Sequence, residues 1–329
     1  MILGIESSCD ETSAAILRGS ELASVVISSQ HFHTSFGGVV PELASRAHIR
    51  SIIPIVEEAF LQAGMTSAEL TAIAVTYAPG LMGALLVGVN FAKGLALGLD
   101  VPLFGVHHIE AHIFSALLEA KKPELPFLAL VVSGGHTLLV IVDEIGSYRV
   151  IGKTLDDAAG EAFDKVGKMM GMGYPAGAQI DREAKLGNPS FVQFPRSMMH
   201  SENFDFSFSG IKTSVLYYLR DHPGVINDHG ADIAASFQES VVDVLVEKTV
   251  RASIQYDIRD IVCVGGVSAN SRLREKFISI TQKHSKHFFS PRPMLSTDNA
   301  AMIAMLGALK IDRGLAGGLS LEAMPRVWL

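Results

Sequence analysis

An α/β fold built from two duplicated lobes is what this sequence predicts, on three observations. A strand, a short polar loop and a second strand open the chain at 1–17 and recur at 127–142. Between and after these heads, short apolar runs alternate with long helical patterns, as expected of sheets joined by crossover helices. Finally, 48% hydrophobic and 19% charged residues with 30 glycines fit a glycine-rich α/β enzyme better than a disordered or coiled-coil chain. At 329 residues there is enough chain for two lobes. The recurrence favours a duplicated lobe over two unrelated domains, with an amino-terminal lobe expected at 1–122 and a carboxy-terminal lobe at 123–329.

The elements follow in order. Residues 1–6 are apolar up to Glu6 and read as a buried strand; the loop Ser7-Ser8-Cys9-Asp10-Glu11-Thr12 leads to strands at 13–17 and 22–28. Pro41 opens a helix in which Leu43, Ala47, Ile52, Val56, Ala59 and Phe60 keep a helical period until Gly64 stops it. A strand at 72–76 passes through Ala78-Pro79-Gly80 into an apolar helix at 81–99, and 101–106 is the next strand. Pro123 and Pro126 punctuate the chain before the second head, whose strands at 127–133 and 138–142 flank Gly134-Gly135-His136-Thr137. Helices are expected at 156–170, 231–256, 271–282 and 297–313, with a strand at 260–264 and the loop Gly265-Gly266-Val267-Ser268-Ala269-Asn270 between the second and third. The stretch 187–210 has no period and is expected to be an irregular, substrate-facing insertion.

Composition excludes several function classes. A net charge of −7 rules out a wholly basic nucleic-acid binder, although a local patch could still meet phosphates. Cys9 and Cys263 are far apart in apolar runs, so no disulfide is expected and a reducing cytoplasm fits. Glu6 interrupts the amino terminus too early for a signal peptide. The stretch 81–99 contains Asn90, Lys93 and several glycines, so it reads as a buried helix and no membrane is expected as a partner.

The run His107-His108-Ile109-Glu110-Ala111-His112 follows the strand at 101–106, at a strand end where α/β folds place ligands. Four-residue spacing puts His108 and His112 on one helix face, the way a helix holds a transition metal. The pair alone fits two hydrogen-bonded surface histidines as well. Glu110 would point to the opposite side, unlike the glutamate of HExxH peptidases. Asp298, at the start of the last helix, is the best third ligand, with an ordinary helix cap as its alternative role. Two histidines and one carboxylate leave open positions suited to Fe(II) or Zn(II). Three loops after strands, 7–12, 133–137 and 265–270, could each offer backbone N–H groups to a phosphate. None has the Walker spacing, and no GxGxxG opens a helix.

These blocks resemble the tRNA N6-adenosine threonylcarbamoyltransferase family over nearly the whole chain. The resemblance is carried by Ile5 to Thr12, Gly37 to Arg46, the histidine run, Ser133 to Thr137, Asp156 to Lys165, Phe206 to Lys212, Gly265 to Asn270 and Thr297-Asp298-Asn299. It implies the actin/Hsp70/sugar-kinase fold, two lobes with a central cleft. The implied reaction moves a threonylcarbamoyl group from threonylcarbamoyl-adenylate to N6 of adenosine 37, in tRNAs reading codons that begin with adenine, and releases AMP.

By the same resemblance His108, His112 and Asp298 hold one iron-like ion. Val131, Val132, Ser133, Gly134 and Gly135 meet the phosphate and acyl side of the donor, and the N–H groups of Gly134 and Gly135 help stabilise the leaving charge. Asp164, Gly177 and Asp181 hold the ribose; Gly265, Gly266 and Asn270 lie on the adenine side. Ala78 and Ala176 depart from a usual glycine, and Ala176 could reshape the ribose pocket. Glu11 is an orienting carboxylate or a fold-stabilising one. ATP or ADP is a further occupant of the donor site. Implied partners are tRNA, a metal-lacking homologous subunit that could dock on the helix Pro41–Ala63, and a small ATPase. Arg46, Arg50, Lys165, Lys168, Arg272, Arg274 and Lys276 are candidate tRNA phosphate contacts. A small-molecule kinase on the same fold would not need the histidine pair, a metallopeptidase would need Glu110 elsewhere, and a non-catalytic scaffold could dispense with the metal ligands altogether.

Overall fold

The computed structural model describes residues 1–315, 317–327 and 329. They form two compact units, Met1–Lys122 with Met294–Leu329, and Pro123–Pro293. The first boundary lies where the prolines place it. The expected lobe at 123–329 differs from the observed unit in its last segment, which returns to the first unit.

In the first unit, β1 (Ile2–Glu6), β2 (Glu11–Arg18), β3 (Glu21–Ser29), α1 (Pro41–Ala63), β4 (Ala72–Ala78), α2 (Met82–Leu99), β5 (Leu103–His107) and α3 (His108–Phe114) follow in order. The second unit has β6 (Phe127–Val132), β7 (Thr137–Glu144), β8 (Ser147–Lys153), α4 (Ala159–Met169), α5 (Gly177–Ala184), α6 (Ser209–Asp221), α7 (Val225–Gln255), β9 (Asp260–Val264), α8 (Ser271–Lys283) and β10 (His287–Phe289). The one-turn α9 (Pro293–Ser296) then leads to α10 (Ala300–Asp312). The strand orders are β3-β2-β1-β4-β5 and β8-β7-β6-β9-β10. In each, the first two pairings are antiparallel and the last two parallel. The two sheets therefore share one topology, which is the duplication expected from the repeated heads.

Local chemistry sets the element ends. Pro41 occupies the first turn of α1, where its missing N–H costs nothing, and Gly64 closes the helix at φ 65°. Alternation along β1 turns Leu3 and Ile5 into the core shared with α1 and α2. Gly4 faces the other way, where a Cβ would collide with the Ala300 carbonyl of α10. At Gly307 an added Cβ would stand 2.5 Å from the Ala74 side chain of β4. Small residues thus let α10 lie directly on β1 and β4, which is why the last segment belongs to the first unit. Helix α2 is the one described helix long and apolar enough to cross a membrane, and a third of it is buried. Ala84, Leu85, Gly88, Val89, Ala92 and Ala96 form its buried side.

In the second unit Leu128, Leu130, Leu139 and Ile141 of the sheet pack with Phe163 of α4 and Phe237 of α7. Each such side chain, fully buried, contributes roughly 1.5–3 kcal/mol. Residues 185–208 hold no helix or strand beyond a bridge from Thr154 to Phe206. They are pinned to α7 by Asp232 to the Asn188 N–H, by the Arg196–Asp243 pair, and by Lys248, which donates to the Ser201 hydroxyl and the Asp205 carbonyl. Both cysteines are free thiols, and burial pushes the Cys263 thiol up to about 12.

Candidate functional site

Helix α3 starts at His108 because His107 caps it: the His107 ring nitrogen Nδ1 accepts from the Glu110 N–H at 3.4 Å. The next turn brings His112 beside His108, ring centroids 4.7 Å apart and nearly perpendicular. Asp298 does not cap α10; Asn299 does, accepting from the Met302 N–H. That leaves the Asp298 carboxylate for the histidines, with Oδ1 3.0 Å from His112 Nε2 and 3.4 Å from His108 Nε2. The three donor atoms lie within 4.8 Å of one another. An ion bound at ~2.1 Å by nitrogen and oxygen holds neighbouring donors about 3.0–3.5 Å apart, so this set fits one transition metal ion. Glu110 turns away and pairs with Lys310 at 3.3 Å, which removes the peptidase-type base from the histidines.

Behind the ligands stands Glu6, fully buried at the end of β1. Its Oε2 accepts from Thr76 at 2.6 Å and lies 3.0 Å from His108 Nδ1, while Oε1 accepts from the Ser8 N–H at 2.6 Å. A carboxylate on Nδ1 keeps the proton there and leaves the Nε2 lone pair for a metal, the usual outer-shell arrangement. The sequence carried this signal as a lone acid closing an apolar strand, but nothing local connected it to a histidine 102 residues on. Replacing Glu6 with Gln should weaken ion affinity by about 10- to 100-fold while the fold persists, as read by competition with a chelating dye.

The electrostatics of the pocket call for positive charge. Burial pushes His108 down, yet Asp298 and Glu6 together hold its imidazolium well above the ordinary histidine range. Burial likewise pushes Asp298 and Glu6 up, and His108 brings both below the usual carboxylate range. Glu11, the first residue of β2, is raised to about 9 by burial and by the negative field of Asp298 and Asp10. In the ion-free chain it is therefore a protonated carboxyl near neutral pH and not a base. His112 Nδ1 is buried and has no hydrogen-bond partner among the described residues.

The second unit gathers the other expected residues. Val131 and Val132 end β6, buried; Ser133 exchanges hydrogen bonds with His136, and Gly134 and Gly135 stand exposed. Gly160 brings the amino end of α4 onto this loop: its N–H donates to the Ser133 carbonyl at 3.1 Å, and a Cβ would stand 2.6 Å from that oxygen. Gly265, at φ 91°, seats the 265–270 loop against the Val132 carbonyl, 2.5 Å from where a Cβ would be. Gly266 meets nothing within 4 Å of its own added Cβ. Asp164 accepts from the N–H groups of Ala176 and Gly177, and burial nevertheless leaves it above its ordinary value. Asp181 accepts from the N–H and hydroxyl of Ser271, tying α5 to α8. Asn270 caps α8 with Oδ1 and donates from Nδ2 to Gln238 at 2.6 Å, so both ends of its amide serve the fold.

Several expected phosphate contacts are bound within the chain. Arg272 pairs with Glu239, Lys276 with Glu239 and Asp243, and Arg274 with the carbonyls of Ser268 and Pro291. Lys165 pairs with Asp157 and Glu161, and Arg46 with Glu42. Arg50 and Lys168 are exposed.

Residues 21–305 match the family model for tRNA N6-adenosine threonylcarbamoyltransferase. The chain belongs to this family. A relative of that name from Chlorobium limicola is 55% identical over 95% of this chain and 92% of its own. Among solved structures, HypF of T. kodakarensis superposes with a TM-score of 0.62 at 14% identity, over 95% of this chain and 48% of its own. The activator of 2-hydroxyisocaproyl-CoA dehydratase from Clostridium difficile, with bound ADPNP, gives 0.55 at 12% identity over 96% and 98%. These two show the actin/Hsp70/sugar-kinase-like α/β fold. The chain is accordingly a transferase that places threonylcarbamoyl groups on tRNA adenosine N6, and the kinase and peptidase alternatives are not favoured.

Proposed function

We propose that the enzyme transfers threonylcarbamoyl from its adenylate to adenosine 37 with the aid of one divalent ion, Fe(II) or Zn(II), held by His108, His112 and Asp298. The convergence of the three donor atoms, with Glu6 behind His108, carries this reading. The N6 amine attacks the carbamoyl carbon, the bond from that carbon to the phosphate oxygen breaks, AMP leaves with that bond's electron pair, and the proton shed by N6 passes to solvent. A bound ion would supply Lewis acidity toward donor oxygens. The chain's own contribution is placement, because an exocyclic adenine amine is a weak nucleophile. Gly134 and Gly135 offer N–H groups to the departing charge. Asp164 and Asp181, with Gly177, serve the ribose, and Gly265, Gly266 and Asn270 the adenine. Glu11 orients the acyl group. ATP or ADP fits the same donor site, since the fold relative named above was solved with ADPNP.

Partners enter the same proposal. Ile49, Ile53 and Leu61 are exposed on one side of α1, and Met82, Leu86 and Leu97 on α2. These apolar stripes on neighbouring helices suit docking of a homologous, metal-lacking subunit, while a small ATPase serves the turnover of the assembly. A cytoplasmic location suits an enzyme that acts on tRNA.

The test is transfer of radiolabelled threonine to a tRNA transcript, with donor synthase and partners supplied. Chelated, dialysed protein should lose label transfer, and Fe(II) or Zn(II) should restore it; full transfer without any ion would remove the metal from the reaction. Ion binding should also depend on pH with a definite sign. The ion must displace the proton that Asp298 and Glu6 hold on His108. Apparent affinity therefore rises with pH until pH passes the raised His108 value, with the His108 proton released as the ion binds. The ion-free protein behaves conversely: the stability His108 contributes is complete below the unfolded histidine pKa, about 6.5, and is lost as pH rises through the folded value. Calorimetry in buffers of different ionisation enthalpy reads the proton count.

A further inference from the structure

β5 is an edge strand, yet its outer side is covered by the chain's own last described segment. The Gly318 N–H donates to the Leu103 carbonyl at 2.8 Å, and Gly317 lies so close to that carbonyl that any Cβ would collide with it. Gly105 makes room in the same way for the Leu321 side chain. Leu321 and Ala323 pack against the first unit's core. Further on, the Met324 N–H donates to the Tyr77 carbonyl at 2.8 Å and the Pro325 carbonyl accepts from the Gly80 N–H at 3.3 Å. The segment reaches His107, whose Nε2 lies 3.2 Å from the Val327 carbonyl.

That last contact bears on the candidate metal centre. His107 uses Nδ1 as an acceptor for the Glu110 N–H, so its proton sits on Nε2 and is donated to Val327. One buried imidazole therefore joins two things: the first turn of α3 and the 317–327 segment. α3 has only seven residues, too few to be stable by itself, and both histidine ligands lie on it. α3 is also held by its buried Ile109, Ile113 and Phe114, by Glu6 and Ser8 on His108, and by Lys310, which donates to the Gly105 carbonyl and pairs with Glu110, but among these contacts only His107 links its first turn to the 317–327 segment.

We propose that the 317–327 segment is a strap that holds the metal-binding helix in register, with His107 as the positioning residue through which it acts. The strap lowers the freedom of α3 before any ion arrives, so part of the ion affinity is set by a segment that touches no ligand. This inference rests on the metal reading for its functional consequence, but its structural core does not.

The experiment uses the full chain, a chain lacking residues 327–329, a His107→Asn variant and their combination. Asparagine keeps an acceptor for the Glu110 N–H but is too short to hold Val327. Amide hydrogen exchange is read on ion-free protein, and ion affinity by chelator competition. Exchange at 109–114 should quicken by about tenfold or more in each single variant, with β1 and β6 unchanged, since only a local opening is made easier. The ion dissociation constant should rise by a similar factor, and the combined variant should add little to either single one. Unchanged α3 exchange in both single variants, or fully additive effects, would overturn the strap. If the wild type binds no ion, the metal reading fails, while the exchange data still decide the strap. Should the shortened chain not fold, the His107→Asn protein answers the same question.

Discussion

Label transfer to tRNA should fall at least about a hundredfold when His108 and His112 are both replaced by alanine, since Lewis-acid stabilisation is worth several kcal/mol and each 1.36 kcal/mol is tenfold in rate. Bound metal, counted by elemental analysis, should fall with it. Both imidazoles lie within 3.4 Å of one Asp298 oxygen, so their removal takes away two of the three convergent donor atoms. The fold should survive, because α3 keeps Ile109, Ile113 and Phe114 in the core. Equal transfer by wild type and double variant would keep the transferase and take the histidines out of its mechanism. An Asp298→Ala variant should behave in the same way. There His108 loses one of the two carboxylates that keep it charged, and its pKa should move back toward the ordinary range, which NMR titration would report.

A Gly134→Val substitution should leave the melting temperature nearly unchanged while raising the KM for the donor by tenfold or more. A Cβ added at Gly134 meets no atom within 4 Å, and its backbone is not left-handed, so nothing in the chain requires glycine there. A ligand approaching the backbone closely does. Gly160, in the same neighbourhood, gives the contrast: its Cβ would press on the Ser133 carbonyl and the Gly134 backbone. Overpacking of that kind costs about 1–3 kcal/mol, so Gly160→Ala should lower stability as well as activity. If Gly134→Val bound and turned over donor normally, the 131–135 loop would not be the phosphate side of the site. Thermal unfolding paired with donor-dependent kinetics separates these outcomes.

The legible parts of this chain were those written in short-range pattern. Helix α1 runs from Pro41 to Ala63 as its proline, helical period and closing glycine imply, and β9 has its expected bounds. The elements that the pattern hid are short or bury little. β8 mixes exposed and half-buried residues without alternation, β10 is three residues long, and α5 and α6 bury few side chains against larger neighbours. The ion pairs of Arg272 and Lys276 with acids of α7 were invisible for another reason: a basic run looks the same whether it faces solvent or a carboxylate 33 residues away.

For the site itself, sequence determined which groups exist and how two of them stand. A four-residue spacing on a helix is a geometric statement, so His108 and His112 were bound to share a face. Glycine at 134 and 135 likewise declared an open backbone. What only the tertiary structure decided was who meets whom across long separations: Asp298 with His112, Glu6 with His108, Val327 with His107. The first meeting depends on α10 settling against β1 and β4 through Gly4 and Gly307, the second on the parallel pairing of β1, β4 and β5, and the third on Gly105 and Gly317, which let the last segment lie against β5. Local periodicity records the face each residue presents; only close packing of the folded unit selects the neighbour that face receives.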